Sequence, residues 1–282
     1  MSEGAVRRWT SKLSLLQWLA LAVLLLIVFI PIYWVLITSL KETRQILISE
    51  SLYYPRPPTL QHYIALFSES RFLQWLLNSV LVAFGSTAIA LVAGCLGAYA
   101  LTRLRFPGKK MLASAVMITY LVPPGLMFIP LYQIFIKVNF TNSLGTLIAA
   151  YPSFTVPFST WFLIGFFRSI PHELEEAALI DGATRLQAFV RVVLPLAVPG
   201  ILAAGLFCFT LAWNEFLYAL IFISSDRLRT LPVGLNEFLT ADVYNWGELM
   251  GAAFLAALPV VVFYIYLQKY MIQGLTAGAV KG

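Results

Sequence analysis

The chain has 282 residues, of which 60% are hydrophobic and only 11% are charged, and its mean hydropathy is +0.83. About 25% of the residues of an ordinary soluble protein are charged, so this composition excludes a soluble globule, and it excludes a disordered chain because disordered chains are polar. In so apolar a chain the net charge of +6 indicates membrane topology rather than a nucleic-acid partner.

Six segments contain no Asp, Glu, Lys or Arg, and each has at least 20 residues: 13–40, 72–102, 111–136, 138–167, 192–214 and 249–268. About 20 helical residues cross a bilayer core of roughly 30 Å, whereas barrel strands alternate over about ten residues. The sequence therefore predicts an all-α, polytopic membrane protein. Its six transmembrane helices are placed at about 14–37, 76–101, 112–136, 143–167, 199–223 and 249–270.

The first span follows Arg7, Arg8 and Lys12, as the apolar region of a signal peptide does. Residues 13–40 are too long for that region, and no small-x-small cleavage site follows them. We therefore expect a retained span after an N-terminal segment 1–13. Prolines lie within or near several spans and predict kinks or breaks there, at positions 31, 123, 124, 130, 152 and 157.

Six spans place both termini on one side of the membrane. On that side the termini and the loops 102–111 and 168–198 carry twelve basic and five acidic residues, a net charge of +7. The loops 38–75, 137–142 and 224–248 on the other side carry seven of each. Because an excess of Lys and Arg marks cytoplasmic loops, both termini are predicted to be cytoplasmic, including a C-terminal tail 271–282.

The 31-residue loop 168–198 is predicted to hold two short helices, 171–179 and 184–193, separated by Asp181-Gly182. Pro171 suits the first turn of the first helix, and Leu186 and Phe189 begin an apolar face on the second. The residues alone leave two alternatives open: a helix pair that docks onto a protein partner, or interfacial helices lying on lipid.

Glu215 is the one carboxylate within a predicted span. Such groups face a cavity or a partner, so Glu215 is interpreted as the lining of a transport path or a structural pair, with a proton relay as the alternative. No metal site is predicted, because the sequence has no metal-type Cys/His cluster: His62 and His172 are the only histidines, and Cys95 and Cys208 fall within apolar runs.

The segment 175–195 resembles the cytoplasmic loop of the permease subunits of binding-protein-dependent ABC importers. That loop reads EAA, three residues, Gly, nine residues, then Ile-x-Leu-Pro. This chain has Glu176-Ala177-Ala178, then Gly182, and ends the pattern on Leu194-Pro195, with Val192 where the family has Ile. Asn78-Ser79, the stretch WNEF at 213–216 and GLTAGAVKG at 274–282 extend the resemblance to the six-span permease of the maltose-type carbohydrate importers.

The resemblance implies an ABC importer type I permease fold and a role for three groups of residues. ATPase coupling is assigned to Glu176, Ala177, Ala178, Asp181, Gly182, Leu194 and Pro195. The substrate path is assigned to Asn214, Glu215 and Tyr218, although the Asn214 amide also suits an interhelical bond. Docking of an external binding protein is assigned to Gly234, Leu235, Asn236 and Glu237, with a loop that caps the pore as the alternative.

The resemblance further implies a prokaryotic plasma (inner) membrane protein that works with a second homologous permease, two ATPase subunits and an external substrate-binding protein, surrounded by membrane lipid. The chain would take up a sugar, a di- or oligosaccharide or a glycoside-type solute, by alternating access. It has no GxxxxGK[ST] sequence, since Arg103 stands where Gly108-Lys109 would need the first glycine. No cofactor or enzymatic activity is therefore expected on this chain, and ATP and Mg are expected on the partner ATPase subunits. The alternative function is a proton-coupled secondary transporter that uses Glu215.

Overall fold

The computed structural model describes residues 14–47, 53–240 and 245–279, and it describes only the backbone of Thr240 and 271–279. The helices in chain order are α1 (Leu15–Ser39), α2 (Thr43–Leu47), α3 (Gln61–Ser68), α4 (Phe72–Arg103), α5 (Lys109–Leu121), α6 (Pro124–Lys137), α7 (Leu144–Ala150), α8 (Pro152–Ser169), α9 (His172–Ile180), α10 (Arg185–Ala188), α11 (Leu194–Trp213), α12 (Leu217–Phe222), α13 (Leu231–Leu235), α14 (Glu237–Thr240) and α15 (Trp246–Ala279). A π-helical turn (Phe189–Val193) joins α10 to α11, and a 3-10 turn (Asp226–Leu228) precedes α13. The described ranges contain no β-strand, so the all-α prediction is confirmed.

Within the part of the chain that the structure describes, five helical stretches are long and apolar enough to cross a membrane: Leu15–Ser39, Phe72–Arg103, Leu144–Ser169, Arg185–Trp213 and Trp246–Tyr270. The pair α5 and α6 adds a sixth if it is counted as one span. The predicted six-helix fold agrees with this set. The cytoplasmic placement of the termini stays a prediction, and the predicted segment 1–13 and the last residues of the tail, 280–282, lie outside the described residues.

The third predicted span, 112–136, is a broken helix. Its two halves, α5 and α6, are bent by 101° at residues 122 and 123. Val122 is extended, with ψ 124°, because the residue before a proline is pushed out of the helical region. Pro123 then caps α6, and Pro124 occupies its first turn, where the missing N–H has no helical partner to lose.

The fifth predicted span, 199–223, differs from the observed helices at both ends. Helix α11 stops at Trp213, and α12 resumes only at Leu217, so the span is interrupted at 214–216. At the other end the predicted short helix 184–193 is continuous with α11. A π turn makes this possible: the Leu194 N–H reaches back five residues to the Phe189 carbonyl, and Pro195 falls in the first turn of α11.

The chain divides into two compact units: Met1–Ser70 with Phe238–Leu255, and Arg71–Glu237 with Ala256–Gly282. In the first unit the buried ring of His62 lies between the Glu248 carboxylate (Nδ1 to Oε1, 3.0 Å) and the Lys41 carbonyl (Nε2 to O, 2.9 Å). Most side chains of α1 are exposed, as expected for a helix that faces lipid or another subunit.

In the second unit α4, α8 and α11 enclose the core. At one end this core contains Cys95, Ala98, Tyr99, Leu163, Phe167, Ile170, Phe189, Val193, Ala197 and Ala204. The free thiols of Cys95 and Cys208 are both buried, as the apolar runs predict. Helices α4 and α8 approach closely at Gly94, where a Cβ atom would lie 2.3 Å from Ser159 Oγ. The Ser159 hydroxyl donates to the Ala90 carbonyl at 2.8 Å, which satisfies it in the packed interface.

Candidate coupling loop, transport path and docking loop

Helix α9 and the turn that follows it carry five of the seven predicted coupling residues. The first turn of α9 holds Glu173 and Glu175, whose charges suit the positive end of a helix dipole. The side chains of Glu176, Ala177, Asp181 and the backbone of Gly182 are exposed, and Ala178 is half-buried. Exposed apolar side chains lie among them, with Ile180 85% and Leu179 37% exposed. This mixed apolar and acidic surface is typical of a protein-docking site.

The end of α9 is fixed by Gly182, whose φ of +89° is a left-handed conformation that side chains disfavour. The Gly182 N–H donates to the Leu179 carbonyl at 3.1 Å, and the Ala183 N–H donates to the Ala178 carbonyl at 3.0 Å. These two bonds form a Schellman motif, which satisfies the last carbonyls of the helix. The glycine of the sequence pattern is therefore required by the turn.

A new helix begins directly after that turn. Thr184 caps it: its N–H donates to Gln187 Oε1 at 2.8 Å, and its Oγ1 accepts from the Gln187 N–H at 3.3 Å. Leu194 and Pro195, the last two predicted coupling residues, lie at the start of α11, where Leu194 is half-buried and Pro195 is exposed. They therefore belong to the helix that follows the turn, whereas the other five cluster on α9 and at its end.

A buried polar cluster lies behind α9, and sequence reasoning missed it. The Tyr99 hydroxyl donates to Glu175 Oε1 at 2.5 Å, and Arg103 Nε lies 3.5 Å from Glu175 Oε2. Arg103 also donates through Nη2 to the carbonyls of Phe167 (2.8 Å) and Ile170 (2.7 Å). The only sequence signal was a second acid in the first turn of α9, together with an arginine just after an apolar run.

A cavity of about 390 Å³ adjoins this cluster. Its walls are polar and carry both signs of charge, from Thr102, Arg103, Arg105, Lys109, His172, Glu175, Glu176, Leu179 and Arg185. The Lys109 ammonium group is held by the carbonyls of Thr102 and Leu104, at 3.3 and 2.9 Å. The basic loop 102–111 thus faces the predicted coupling helix directly.

The break after α11 is organised by Glu215. Its Oε1 accepts from the Tyr218 N–H at 2.9 Å, and its Oε2 accepts from the Ala219 N–H at 3.2 Å, so the carboxylate caps α12. The Tyr151 hydroxyl donates to the same Oε2 at 3.1 Å. These three bonds give the half-buried carboxylate a structural role, which is one of the interpretations left open by the sequence.

The three predicted path residues are neighbours in the chain but differ in exposure. Asn214 is exposed, and its Nδ2 donates to the Thr210 carbonyl at 2.9 Å within α11. Tyr218 is fully buried, and its hydroxyl donates to the Pro124 carbonyl at 3.0 Å. Among the predicted path residues, Asn214 therefore has the most accessible polar group, and Tyr218 ties α12 to the start of α6.

The predicted docking loop is anchored to the start of α4. The Asn78 amide donates to the carbonyls of Arg227 and Arg229, at 2.9 and 2.8 Å, and the Leu231 N–H donates to Ser79 Oγ at 2.7 Å. Gly234 is buried against Trp75, where a Cβ atom would lie 2.2 Å from the indole ring.

The other predicted docking residues are more accessible than Gly234. Leu235 and Asn236 are half-buried, and the exposed Glu237 forms an ion pair with Arg229. Arg229 also lies 2.6 Å from the Asp226 carboxylate. The loop therefore presents a small charged surface on a rigid support.

The sequence matches a known protein family, the inner membrane components of binding-protein-dependent transport systems, over residues 90–276. This chain belongs to that family. It is a multi-pass inner-membrane permease subunit of an ABC transporter, as the coupling-loop pattern predicted.

Two relatives match the permease over nearly its whole length. The sulfoquinovosyl glycerol transport system permease protein SmoH of Agrobacterium fabrum is 37% identical and covers 95% of this chain and 94% of its own. The trehalose/maltose transport system permease protein MalG of Thermococcus litoralis is 33% identical and covers 91% of this chain and 93% of its own. The predicted resemblance to maltose-type permeases is therefore confirmed.

The fold is also that of a solved transporter. A chain in the crystal structure of a bacterial ABC transporter that imports the acidic polysaccharide alginate superposes with a TM-score of 0.78 at 20% sequence identity. The match covers 89% of the permease and 94% of that chain. It confirms the predicted ABC importer permease fold. These findings do not favour the alternative of a proton-coupled transporter.

Proposed function

We propose that this permease imports a sugar, either a small oligosaccharide or a glycoside, that an external binding protein delivers. The observation that carries the proposal is the match to a permease named for sulfoquinovosyl glycerol over 95% of this chain, beside one named for trehalose and maltose. All three solutes contain a glycosidic bond. The exposed Asn214 amide and the exposed ring of Phe216, two residues later in the chain, are the kinds of polar and aromatic group that sugars require.

The coupling function is assigned to the surface formed by α9 and its C-terminal turn. The exposed carboxylates of Glu176 and Asp181 and the small Ala177, Ala178 and Gly182 support close docking of an ATPase subunit, with Leu194 and Pro195 holding the start of α11. Two ATPase subunits and a second homologous permease complete the proposed assembly. ATP and Mg bind to the ATPase subunits, and this chain contributes no ATP site.

The docking function is assigned to the loop after α12. Leu235, Asn236 and Glu237 face the external binding protein, and the buried Gly234 lets the loop pack on Trp75. In this scheme ATP-driven closure of the ATPase dimer moves α9, and the permease pair passes from an inward-open to an outward-open state. ATP and the loaded binding protein both bind the outward-open state preferentially, which shifts the population towards it.

The first experiment is a pull-down of the tagged permease from detergent-solubilised membranes. We expect an ATPase subunit and a second permease to co-purify with the wild-type chain, and Glu176→Arg or Gly182→Asp to lose the ATPase subunit. Glu173→Arg is the matched control, because Glu173 is an exposed carboxylate of the same helix outside the coupling pattern. Recovery of the chain without any ATPase would contradict the coupling assignment.

The second experiment identifies the substrate class. The assembled complex, reconstituted with its binding protein, is tested for ATP hydrolysis with disaccharides, with glycerol glycosides and with amino acids. Stimulation by a sugar or glycoside supports the proposal, and stimulation by amino acids alone contradicts it.

A further inference from the structure

The coupling helix α9 buries a single side chain against the rest of the second unit. Of its nine residues, all of which the structure describes, only Glu175 is buried. Leu174, Glu176, Leu179 and Ile180 are exposed, the surface to which the coupling function is assigned. Glu175 lies just before the sequence pattern that defines the coupling loop and is not one of its residues.

The Glu175 carboxylate joins α9 to two membrane-spanning helices. Tyr99, one turn before the end of α4, donates to Oε1 at 2.5 Å, and Arg103, the last residue of α4, lies 3.5 Å from Oε2. The Arg103 side chain is 2% exposed, and its Nη2 donates to the carbonyls of Phe167 and Ile170 at the end of α8. One carboxylate, one phenol and one guanidinium group therefore hold three helix ends together.

The same phenol reaches the second helix of the coupling loop. The ring of Tyr99 packs on that of Phe189 in the π turn, with their centroids 4.6 Å apart. Tyr99 thus contacts the loop on both sides of the Gly182 turn, by a hydrogen bond to α9 and by ring packing on the segment that leads into α11.

We propose that Glu175, with Tyr99 and Arg103, positions the coupling helix so that its displacement by an ATPase subunit is passed to α4 and α8. Tyr99 donates a charge-assisted hydrogen bond to Glu175, which is short and directional in a low-dielectric environment, and Arg103 forms an ion pair with the same carboxylate. A tilt of α9 about this point is therefore expected to move the ends of both helices. Glu176 and its neighbours make the contact with the ATPase subunit, and Glu175 transmits the movement of that subunit to α4 and α8. This inference rests on the proposed function.

The test compares three single variants and one double variant in the complex of permease, ATPase subunits and binding protein. Glu175→Gln keeps the size of the side chain and removes its charge, and Tyr99→Phe removes the hydrogen bond while it keeps the ring on Phe189. Glu173→Gln, an exposed carboxylate in the same turn, is the control. The readouts are recovery of the ATPase subunit, basal ATP hydrolysis, and hydrolysis and uptake stimulated by loaded binding protein.

We expect Glu175→Gln to lower the stimulated hydrolysis and the uptake by about tenfold, which is the size of effect expected for the loss of one charge-assisted hydrogen bond. Recovery of the ATPase subunit and basal hydrolysis should stay within about twofold of wild type. Tyr99→Phe should act in the same direction, and the double variant should be no worse than Glu175→Gln alone, because both changes break the same contact. Glu173→Gln should behave as wild type.

Two results overturn the inference. In one, stimulated hydrolysis and uptake are unchanged in both variants. In the other, they fall only in proportion to ATPase recovery and basal hydrolysis, which a purely structural role predicts. A failure of the proposed function is recognised separately, because the wild-type permease then recovers no ATPase subunit or shows no stimulation by a sugar, and the inference fails with it.

Discussion

Tyr218 and Pro124 connect two interrupted helices of the permease, since the Tyr218 hydroxyl donates a hydrogen bond of 3.0 Å to the Pro124 carbonyl. Pro124 begins α6 just after the 101° bend, and Tyr218 lies in α12 just after the break that Glu215 caps. Both breaks are therefore held in one local arrangement. We therefore expect a change at either break to affect the other.

Removing the Tyr218 hydroxyl tests this connection. We expect Tyr218→Phe to lower the free energy of unfolding by about 1–2 kcal/mol, since the fully buried Tyr218 side chain loses its hydrogen bond to the Pro124 carbonyl. The thermal midpoint of the detergent-solubilised permease measures the effect. Tyr264→Phe, at a position that is 52% exposed, is the control and should leave the midpoint unchanged. Equal shifts for both variants would contradict the assigned contact.

Replacing Glu215 separates capping from proton transfer. The Glu215 carboxylate accepts hydrogen bonds from the Tyr218 and Ala219 N–H groups, and a glutamine in its place loses only one acceptor oxygen. We therefore expect Glu215→Gln to keep ATP-driven uptake within about threefold of wild type. Glu215→Ala, which removes the cap completely, should lose more. Two results together would contradict the capping role: Glu215→Gln abolishes uptake, and an imposed proton gradient drives uptake by the wild-type protein without ATP.

The turn at Gly182 predicts a backbone effect. Its φ of +89° costs an alanine about 1 kcal/mol, although no atom within 4 Å obstructs the added Cβ. We expect Gly182→Ala to lower the recovery of the ATPase subunit by about fivefold, because α9 loses its fixed C-terminal turn. Gly165→Ala is the matched control, since Gly165 is helical and also has open space around it. Equal recovery for both variants would show that the turn geometry does not matter.

The contact between Gly234 and Trp75 predicts a steric effect in the docking loop. A Cβ atom at position 234 would lie 2.2 Å from the indole, so Gly234→Ala should displace the loop at a cost of about 1–3 kcal/mol. We expect stimulation of ATP hydrolysis by the binding protein to fall while basal hydrolysis is kept. Gly125→Ala, whose nearest neighbour is Leu217 at 3.8 Å, should keep both activities. Loss of both activities in Gly234→Ala would place the effect outside the docking loop.

The sequence predicts where the membrane helices lie better than it predicts where they are interrupted. Long runs without charge locate the spans because hydropathy depends only on which residues are present. Whether the helix continues through Asn214 depends on the capping bonds that Glu215 makes after it, and hydropathy does not report these. The prolines at 123 and 124 did indicate a break, because their backbone chemistry acts locally.

The candidate site likewise has one feature that the sequence predicts and one that it does not. The turn at Gly182 could be predicted because its chemistry lies within a few residues of sequence. The contact between Tyr99 and Glu175 joins positions 76 residues apart, and neither residue belongs to the coupling pattern. Their proximity depends on the packing of α4, α8 and the π turn around one core, which a single sequence does not reveal.

The π turn at Phe189–Val193 has a consequence for insertions and deletions in this protein. A π turn holds more residues per turn than an α-helical turn, so it absorbs an extra residue without rotating the helix that follows. Deleting one residue within it should convert the turn to regular α-helix and keep the faces of α11 in register with α4 and α8. The same deletion inside α11 itself would rotate every later side chain by about 100° and turn its buried face outwards. This segment is therefore the part of the fifth span where the length of the chain can change most safely.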